Sequence, residues 1–287
     1  MNSPQPLISA TELAAYLSGA GSVPAPGIVV VDCRFDLAKP DWGAQVFAQA
    51  HLPGAVFADL NRDLSSPVTA ASGRHPLPDR AQLAGFFSRI GIGPDTWVVG
   101  YDQEKAMGSA RLWWLLRWLG HAQVSVLDGG LAAWQAAGLP LTDAPPSRPA
   151  ASFVIQKPLA GALGAVELQD ELARGAITLI DARSADRFAG ENETVDPVAG
   201  HIPGARNLPF PRNFDGARLR PAAELLALWQ ATLAGTPPAA MVAMCGSGVT
   251  ACANLLALHV AGLPGARLYG GSWSEWIRDP ARPVARG

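Results

Sequence analysis

Cysteine is scarce in this chain: Cys33, Cys245 and Cys252 are the only three in 287 residues. So sparse and odd a set does not make a disulfide framework. None of the three is placed in a Cys-x-x-Cys zinc pattern, so neither a metal nor any other cofactor is expected. A basic block is also missing. Lys and Arg number 22 against 24 Asp and Glu, a formal net charge of −2, which argues against nucleic acid or an anionic membrane surface as a partner. Hydrophobic residues make up 49% of the chain, yet no apolar run approaches the roughly 20 residues that span a bilayer. The opening residues, Met1-Asn2-Ser3-Pro4-Gln5-Pro6, have neither the basic region nor the apolar core of a secretory signal. These absences point to a reduced, cytoplasmic enzyme, and the length suits two domains with a sizeable core.

What the sequence does contain is itself twice over. Ile28-Val29-Val30-Val31-Asp32-Cys33-Arg34 is echoed by Ile177-Thr178-Leu179-Ile180-Asp181-Ala182-Arg183. His51-Leu52-Pro53-Gly54-Ala55 is echoed by His201-Ile202-Pro203-Gly204-Ala205. Helical stretches are expected over 79–90 and 222–233, each followed by an apolar strand: Trp97-Val98-Val99-Gly100-Tyr101 in one half, Ala240-Met241-Val242-Ala243-Met244 in the other. Each half then reaches a Gly-Gly pair, Gly129-Gly130 or Gly270-Gly271, and closes on Trp134 or Trp276. A repeat of this length is a duplicated domain rather than a solenoid. Short apolar strands alternating with amphipathic helices predict, in each copy, an α/β fold: a mostly parallel sheet flanked by helices on both faces. The Pro-rich stretch between Leu141 and Phe153 reads as a linker, and the division is set at residues 1–143 and 144–287.

The second copy carries the stretch on which function turns. The apolar strand ending at Met244 runs into Cys245-Gly246-Ser247-Gly248-Val249-Thr250 and then into a helical sequence from Ala251. A strand–loop–helix of this kind aims backbone N–H groups and the positive end of a helix dipole at one atom, and a thiolate held there is a nucleophile. The carboxyl end of a strand is also where open α/β sheets bind their ligands. Superposing the repeats sets Asp102 opposite Cys245, so only the second half can use sulfur chemistry and the first is expected to support it. Cys33 and Cys252 are expected to pack as small apolar residues. The matched Asp32, Arg34, Asp181, Arg183, His51 and His201 are expected to hold the fold together.

With two copies of Asp-x-Arg, His-hydrophobic-Pro-Gly-Ala and Gly-Gly…Trp, the chain resembles the rhodanese superfamily from about Ile8 to Pro280, as two tandem rhodanese-like domains. The loop Cys245-Gly246-Ser247-Gly248-Val249-Thr250 resembles that of the 3-mercaptopyruvate sulfurtransferases; the thiosulfate-preferring members typically have basic residues at the two positions after the cysteine. The resemblance implies that Cys245 takes sulfur from a small donor as a persulfide and passes it to a thiol, such as thioredoxin or glutathione, or to cyanide. It implies that Ser247 and His75, in Arg74-His75-Pro76-Leu77-Pro78, work as an acid–base pair. Arg187 matches the substrate-binding arginine, while the loop residues Gly246, Gly248, Val249 and Thr250 would cradle the donor, and Thr250 would bond within the loop or cap the helix. Asn61 stands where the acidic partner of the histidine belongs, between Asp59 and Asp63. A second arginine usual before the second His-Ile-Pro-Gly is missing from the 191–200 segment, leaving Arg74 or Asn192 to assist Arg187.

Three activities compete. A sulfurtransferase using 3-mercaptopyruvate, with thiosulfate as the alternative donor, is favoured by the neutral Gly246-Ser247 pair. A cysteine phosphatase needs an arginine after five intervening residues, and that position is Ala251. A non-catalytic sulfur-carrier module fits less well with a chain that keeps Cys245, Ser247 and Arg187 together.

Overall fold

The computed structural model describes residues 4–19 and 27–287. The first run of elements is β1 (Leu7–Ile8), α1 (Ala10–Leu17), β2 (Ile28–Asp32), α2 (Trp42–Gln49), β3 (Val56–Phe57), α3 (Arg80–Arg89), β4 (Trp97–Tyr101), α4 (Ser109–Trp118), β5 (Val124–Leu127) and α5 (Gly130–Ala136). The second is β6 (Gly161–Leu163), α6 (Ala165–Ala173), β7 (Thr178–Asp181), α7 (Ala185–Ala189), β8 (Arg206–Asn207), the short strands β9 (Phe214–Asp215) and β10 (Arg218–Leu219), α8 (Ala222–Leu233), β11 (Met241–Met244), α9 (Ala251–Val260), β12 (Arg267–Tyr269) and α10 (Ser272–Trp276). The two five-stranded sheets have the orders β1-β5-β4-β2-β3 and β6-β12-β11-β7-β8. Every pairing in both is parallel. The duplication read from the sequence is thus a duplication of topology.

Parallel strands are covered on both faces, which is why they read as unbroken Val, Ile and Met runs rather than alternating ones. Val29, Val31, Val98 and Val99 in the first sheet are fully buried, as are Leu179, Ile180 and Met241 to Met244 in the second. Helix signals are equally local. Asp79 caps α3 by accepting the N–H groups of Ala81 and Gln82, and Ser9 with Glu12 forms a capping box on α1.

The repeated motifs build matching corners. Asp32 binds the Arg34 guanidinium at 2.7 Å, and Asp181 binds Arg183 at 2.7 Å, all four side chains buried. Arg34 then donates to the carbonyl of Ala50, and Arg183 to that of Gly200. The following histidines stack on phenylalanines, His51 on Phe47 and His201 on Phe188, and each Nδ1 lies at 2.8 or 2.9 Å from the carbonyl of that same phenylalanine. One difference stands out: His51 comes 4 residues after Phe47, whereas His201 comes 13 after Phe188. The second copy holds an insertion there, across 190–200.

By their contacts the residues form two units. The first runs to Ser65 and adds Pro78–Leu159 and Gly216–Leu219; the second comprises Ser66–Leu77, Ala160–Asp215 and Arg220–Gly287. The Pro-rich stretch stays with the first unit because its end is hydrogen-bonded there: Phe153 N–H to Ser88 Oγ, Gln156 N–H to the Leu119 carbonyl and Leu159 N–H to that of Arg117. The segment Ser66–Leu77, early in the sequence, belongs to the second unit.

Candidate active site

Strand β11 lies between β12 and β7, where the chain's progress across the sheet reverses direction, and the loop after it opens at the carboxyl edge that such sheets use for ligands. Cys245 is the first residue past this strand. Its own N–H donates to Ser272 Oγ at 3.1 Å, and that hydroxyl donates to the Tyr269 carbonyl at 2.9 Å. The carbonyls of Cys245 and Gly246 accept the N–H groups of Trp273 and Ser274 at 3.0 and 2.9 Å. These bonds fix the backbone so that the Gly248 N–H points back at the Cys245 sulfur, 3.1 Å away. Gly248 must be glycine: its φ is +79°, and a Cβ there would run into the Gly270 carbonyl oxygen. Cys252, the second residue of α9, donates its thiol to the Gly248 carbonyl at 3.4 Å. Thr250 stands at the N-cap of α9, but its side chain makes no capping bond because its backbone is already helical, φ −69° and ψ −18°, so the capping role expected for it does not hold.

The segment Ser66–Leu77 brings two of the sequence-derived residues to this loop. His75 Nδ1 lies 2.8 Å from Ser247 Oγ, both side chains buried. Arg74 N–H donates to Ser274 Oγ. Gly73 has to be bare for this approach, since a Cβ would meet the Gly271 carbonyl and Ser274 Oγ. The Arg74 guanidinium and that of Arg187 both lie over Gly246: a Cβ built on that glycine would be 2.8 Å from Arg74 Nη2 and 3.6 and 3.7 Å from Arg187 Nη2 and Nη1. The glycine after the cysteine therefore leaves room for guanidinium groups that arrive from elsewhere in the chain.

The insertion across 190–200 supplies the counter-charges, which sequence reasoning missed. Asp196 bridges the two arginines, one oxygen on Arg74 Nη1 and the other on Arg187 Nη2 at 3.1 Å. Glu193 accepts from Arg187 Nε at 3.0 Å and also reaches Arg183. Burial raises the Asp196 carboxyl above its usual range, opposed mainly by Arg74. Burial also works against ionisation of Glu193, but the Arg187 bond and the N–H groups of Val195 and Asp196 outweigh it and hold its pKa below the usual range. The sequence signal for these residues is the extra length between Phe188 and His201, which the matching stretch from Phe47 to His51 lacks. Asn192 is engaged with Asp186 instead. Asp59 and Asp63 are taken up in a local turn, and Asn61 between them is exposed. Among the described residues no cluster of His, Cys, Asp or Glu could hold a metal ion.

In the first unit the equivalent loop is closed. Leu131 N–H bonds the Asp102 carbonyl as Trp273 bonds that of Cys245, and Ala132 bonds Gln103 as Ser274 bonds Gly246. This register pairs Gly130, φ +56°, with Ser272, φ +54°, so the two Gly-Gly pairs are offset by one position rather than aligned. Asp102 Oδ2 accepts three donors, the Gly108 and Ser109 N–H groups and the Ser109 hydroxyl, at 2.8 to 2.9 Å. Its Oδ1 is buried without a partner among the described residues. Burial pushes this carboxyl up to about 6 despite those donors.

Comparison with known proteins agrees with this architecture. The Rhodanese-like domain model matches residues 9–137 and again 164–279. A probable 3-mercaptopyruvate sulfurtransferase of Pseudomonas aeruginosa is 50% identical over 98% of each chain. A putative thiosulfate sulfurtransferase of Mycobacterium tuberculosis is 42% identical over 99% of this chain and 98% of its own. Among solved structures, the 3-mercaptopyruvate sulfurtransferase of Leishmania major superposes with a TM-score of 0.84 at 33% identity, covering 97% of this chain and 77% of that one.

Proposed function

The chain belongs to the rhodanese family and is a sulfurtransferase; we propose that its donor is 3-mercaptopyruvate and that the sulfur travels on Cys245. The observation that carries the reading is the joint placement of Gly248 N–H on the Cys245 sulfur and of His75 on Ser247. In the proposed reaction the Cys245 thiolate attacks the donor's sulfur. The carbon–sulfur bond breaks, its electron pair leaves as the enolate of pyruvate, and the proton of the donor thiol is passed to that carbon through Ser247 and His75. The product on the enzyme is a Cys245 persulfide, held by N–H groups of the loop. A thiol of the thioredoxin or glutathione class, or cyanide, then takes the outer sulfur and returns Cys245 as a thiolate. Arg187 and Arg74 hold the donor's carboxylate, a task suited to guanidinium groups.

The chemistry is assigned to residues 144–287 with His75 and Arg74 lent from 1–143, in a reducing, cytoplasmic setting. Among the described residues no helix is long and apolar enough to cross a membrane. Thiosulfate remains the second reading, because Arg74 and Arg187 place over Gly246 the positive charge that the loop itself lacks. Steady-state kinetics with both donors decides between them: kcat/KM is expected to be higher for mercaptopyruvate, and a higher value for thiosulfate would overturn the donor assignment. Cys245→Ser is expected to abolish both transfer and the gain of one sulfur in protein mass after donor treatment; full turnover by that variant would remove Cys245 from the mechanism.

A further inference from the structure

The two arginines do not meet a donor as bare cations. Arg74, Arg183 and Arg187 are joined to Asp181, Glu193 and Asp196 in one connected network of three guanidiniums and three carboxylates, so its charges balance. Asp196 is the member that touches both arginines over Gly246, and its side chain is 2% exposed. It is firmly held: its N–H and that of Val195 donate to Glu193 Oε1, and the Val198 carbonyl accepts the Trp273 indole N–H at 2.9 Å. Asp196 and Glu193 lie on the insertion that the first unit, with no cysteine in its loop, lacks.

We propose that Asp196 sets donor specificity by serving as the resident counter-ion of the Arg74–Arg187 pair. The proposal rests on the sulfurtransferase reading of Cys245. Asp196 occupies Nη1 of Arg74 and Nη2 of Arg187. Nη2 of Arg74 and Nη1 of Arg187 make no hydrogen bond among the described residues, and both flank Gly246. One carboxylate can bridge those two nitrogens, in a geometry that a guanidinium pair favours. A dianion such as thiosulfate gains little, since its second charge finds a cluster already neutralised and an acidic side chain close by. The neutral Gly246-Ser247 loop and the Asp196 counter-ion thus act in the same direction.

The test compares full-length wild type, Asp196→Asn and Asp196→Glu with thiosulfate and with 3-mercaptopyruvate, using cyanide as common acceptor. Asp196→Asn is expected to lower KM for thiosulfate roughly tenfold while moving that for mercaptopyruvate less than about threefold. Rising ionic strength should erase the gain, and Asp196→Glu should keep the wild-type donor ratio. An unchanged ratio in Asp196→Asn, with both donors weakened alike, would reduce Asp196 to a strut of the loop and overturn the proposal. So would an Asp196→Glu ratio shifted as far as that of Asp196→Asn. A measurement on the wild type alone guards against a variant that fails to fold: pyruvate should compete with donor more strongly than sulfate, and the reverse order would overturn the counter-ion. The readout is a ratio between donors, so it holds whichever donor the wild type prefers; the donor assignment stands or falls on the wild-type constants, and Cys245 on its own substitution.

Discussion

The loops after β4 and β11 are one device in two states. Both leave the carboxyl end of a central strand, both are pinned by two N–H groups from the turn after the next strand, and both lead into a helix. In the first, the residue at the strand end is Asp102, and its carboxylate takes the donors at the start of α4 for itself. In the second it is Cys245, whose sulfur receives the Gly248 N–H, while Ser247 in the same loop meets His75 from the Ser66–Leu77 segment. In both units this turn gathers N–H donors at one side chain, and the residue at the strand end decides whether a carboxylate or a thiol receives them.

Four substitutions test that contrast. The largest effect is expected from Gly248→Ala, which places a Cβ against the Gly270 carbonyl at φ +79°. Sulfur transfer should fall on the order of 100-fold and stability by roughly 1–3 kcal/mol; activity within twofold of wild type would show that the second loop does not depend on this turn. His75→Ala comes next. Mercaptopyruvate turnover should drop about 100-fold, while unloading of a preformed persulfide to cyanide falls much less, as rapid-quench measurements of the two half-reactions would show. Equal losses in both would make His75 structural.

In the first loop the effect is on stability and depends on pH. Asp102 has a folded-state pKa near 6 against an unfolded value near 4, so the folded state holds the proton more tightly. The favourable contribution is complete below pH 4 and is lost as pH rises through 6. Through this group alone wild-type stability should decline by roughly 2–3 kcal/mol between pH 4 and 7. Asp102→Asn should flatten that decline in denaturant titrations; an unaltered pH profile would mean the carboxyl is not strained by burial. The smallest effect is expected for Ser272→Gly, which copies Gly130 into the second unit. Relief of the left-handed backbone offsets the lost hydroxyl, leaving stability within about 1 kcal/mol. The Cys245 N–H loses its acceptor, and kcat/KM should fall several-fold. A gain in activity would show the Ser272 bond to be dispensable.

The same contrast marks how far the sequence could be read. Local chemistry was legible: α8 begins at Ala222 and ends at Leu233 where its apolar pattern does, and the duplicated Asp-x-Arg and His-hydrophobic-Pro-Gly-Ala corners announced two copies of one sheet. Placing Asp102 opposite Cys245 followed from strand register, since Asp32 pairs with Tyr101 as Asp181 pairs with Met244. The Gly-Gly pairs misled by one position, because shared letters align more readily than shared backbone angles. Gly130 adopts its conformation at no steric cost, whereas Ser272 is kept in it by two hydrogen bonds. Asp196 was illegible for another reason: a lone aspartate in a polar insertion has no meaning until Arg74 and Arg187, distant in sequence, are brought to it.

The path of Ser66–Leu77 bears on how such a chain could have evolved. A gene duplicated to give two equal halves is free to shed the half whose strand end carries aspartate. Here the early half has lent a strip of its own backbone, with Arg74 and His75 on it, to the later one. A chain cut at the sequence boundary would part the second unit from both residues, so the strip ties the two copies together in a way that duplication alone does not.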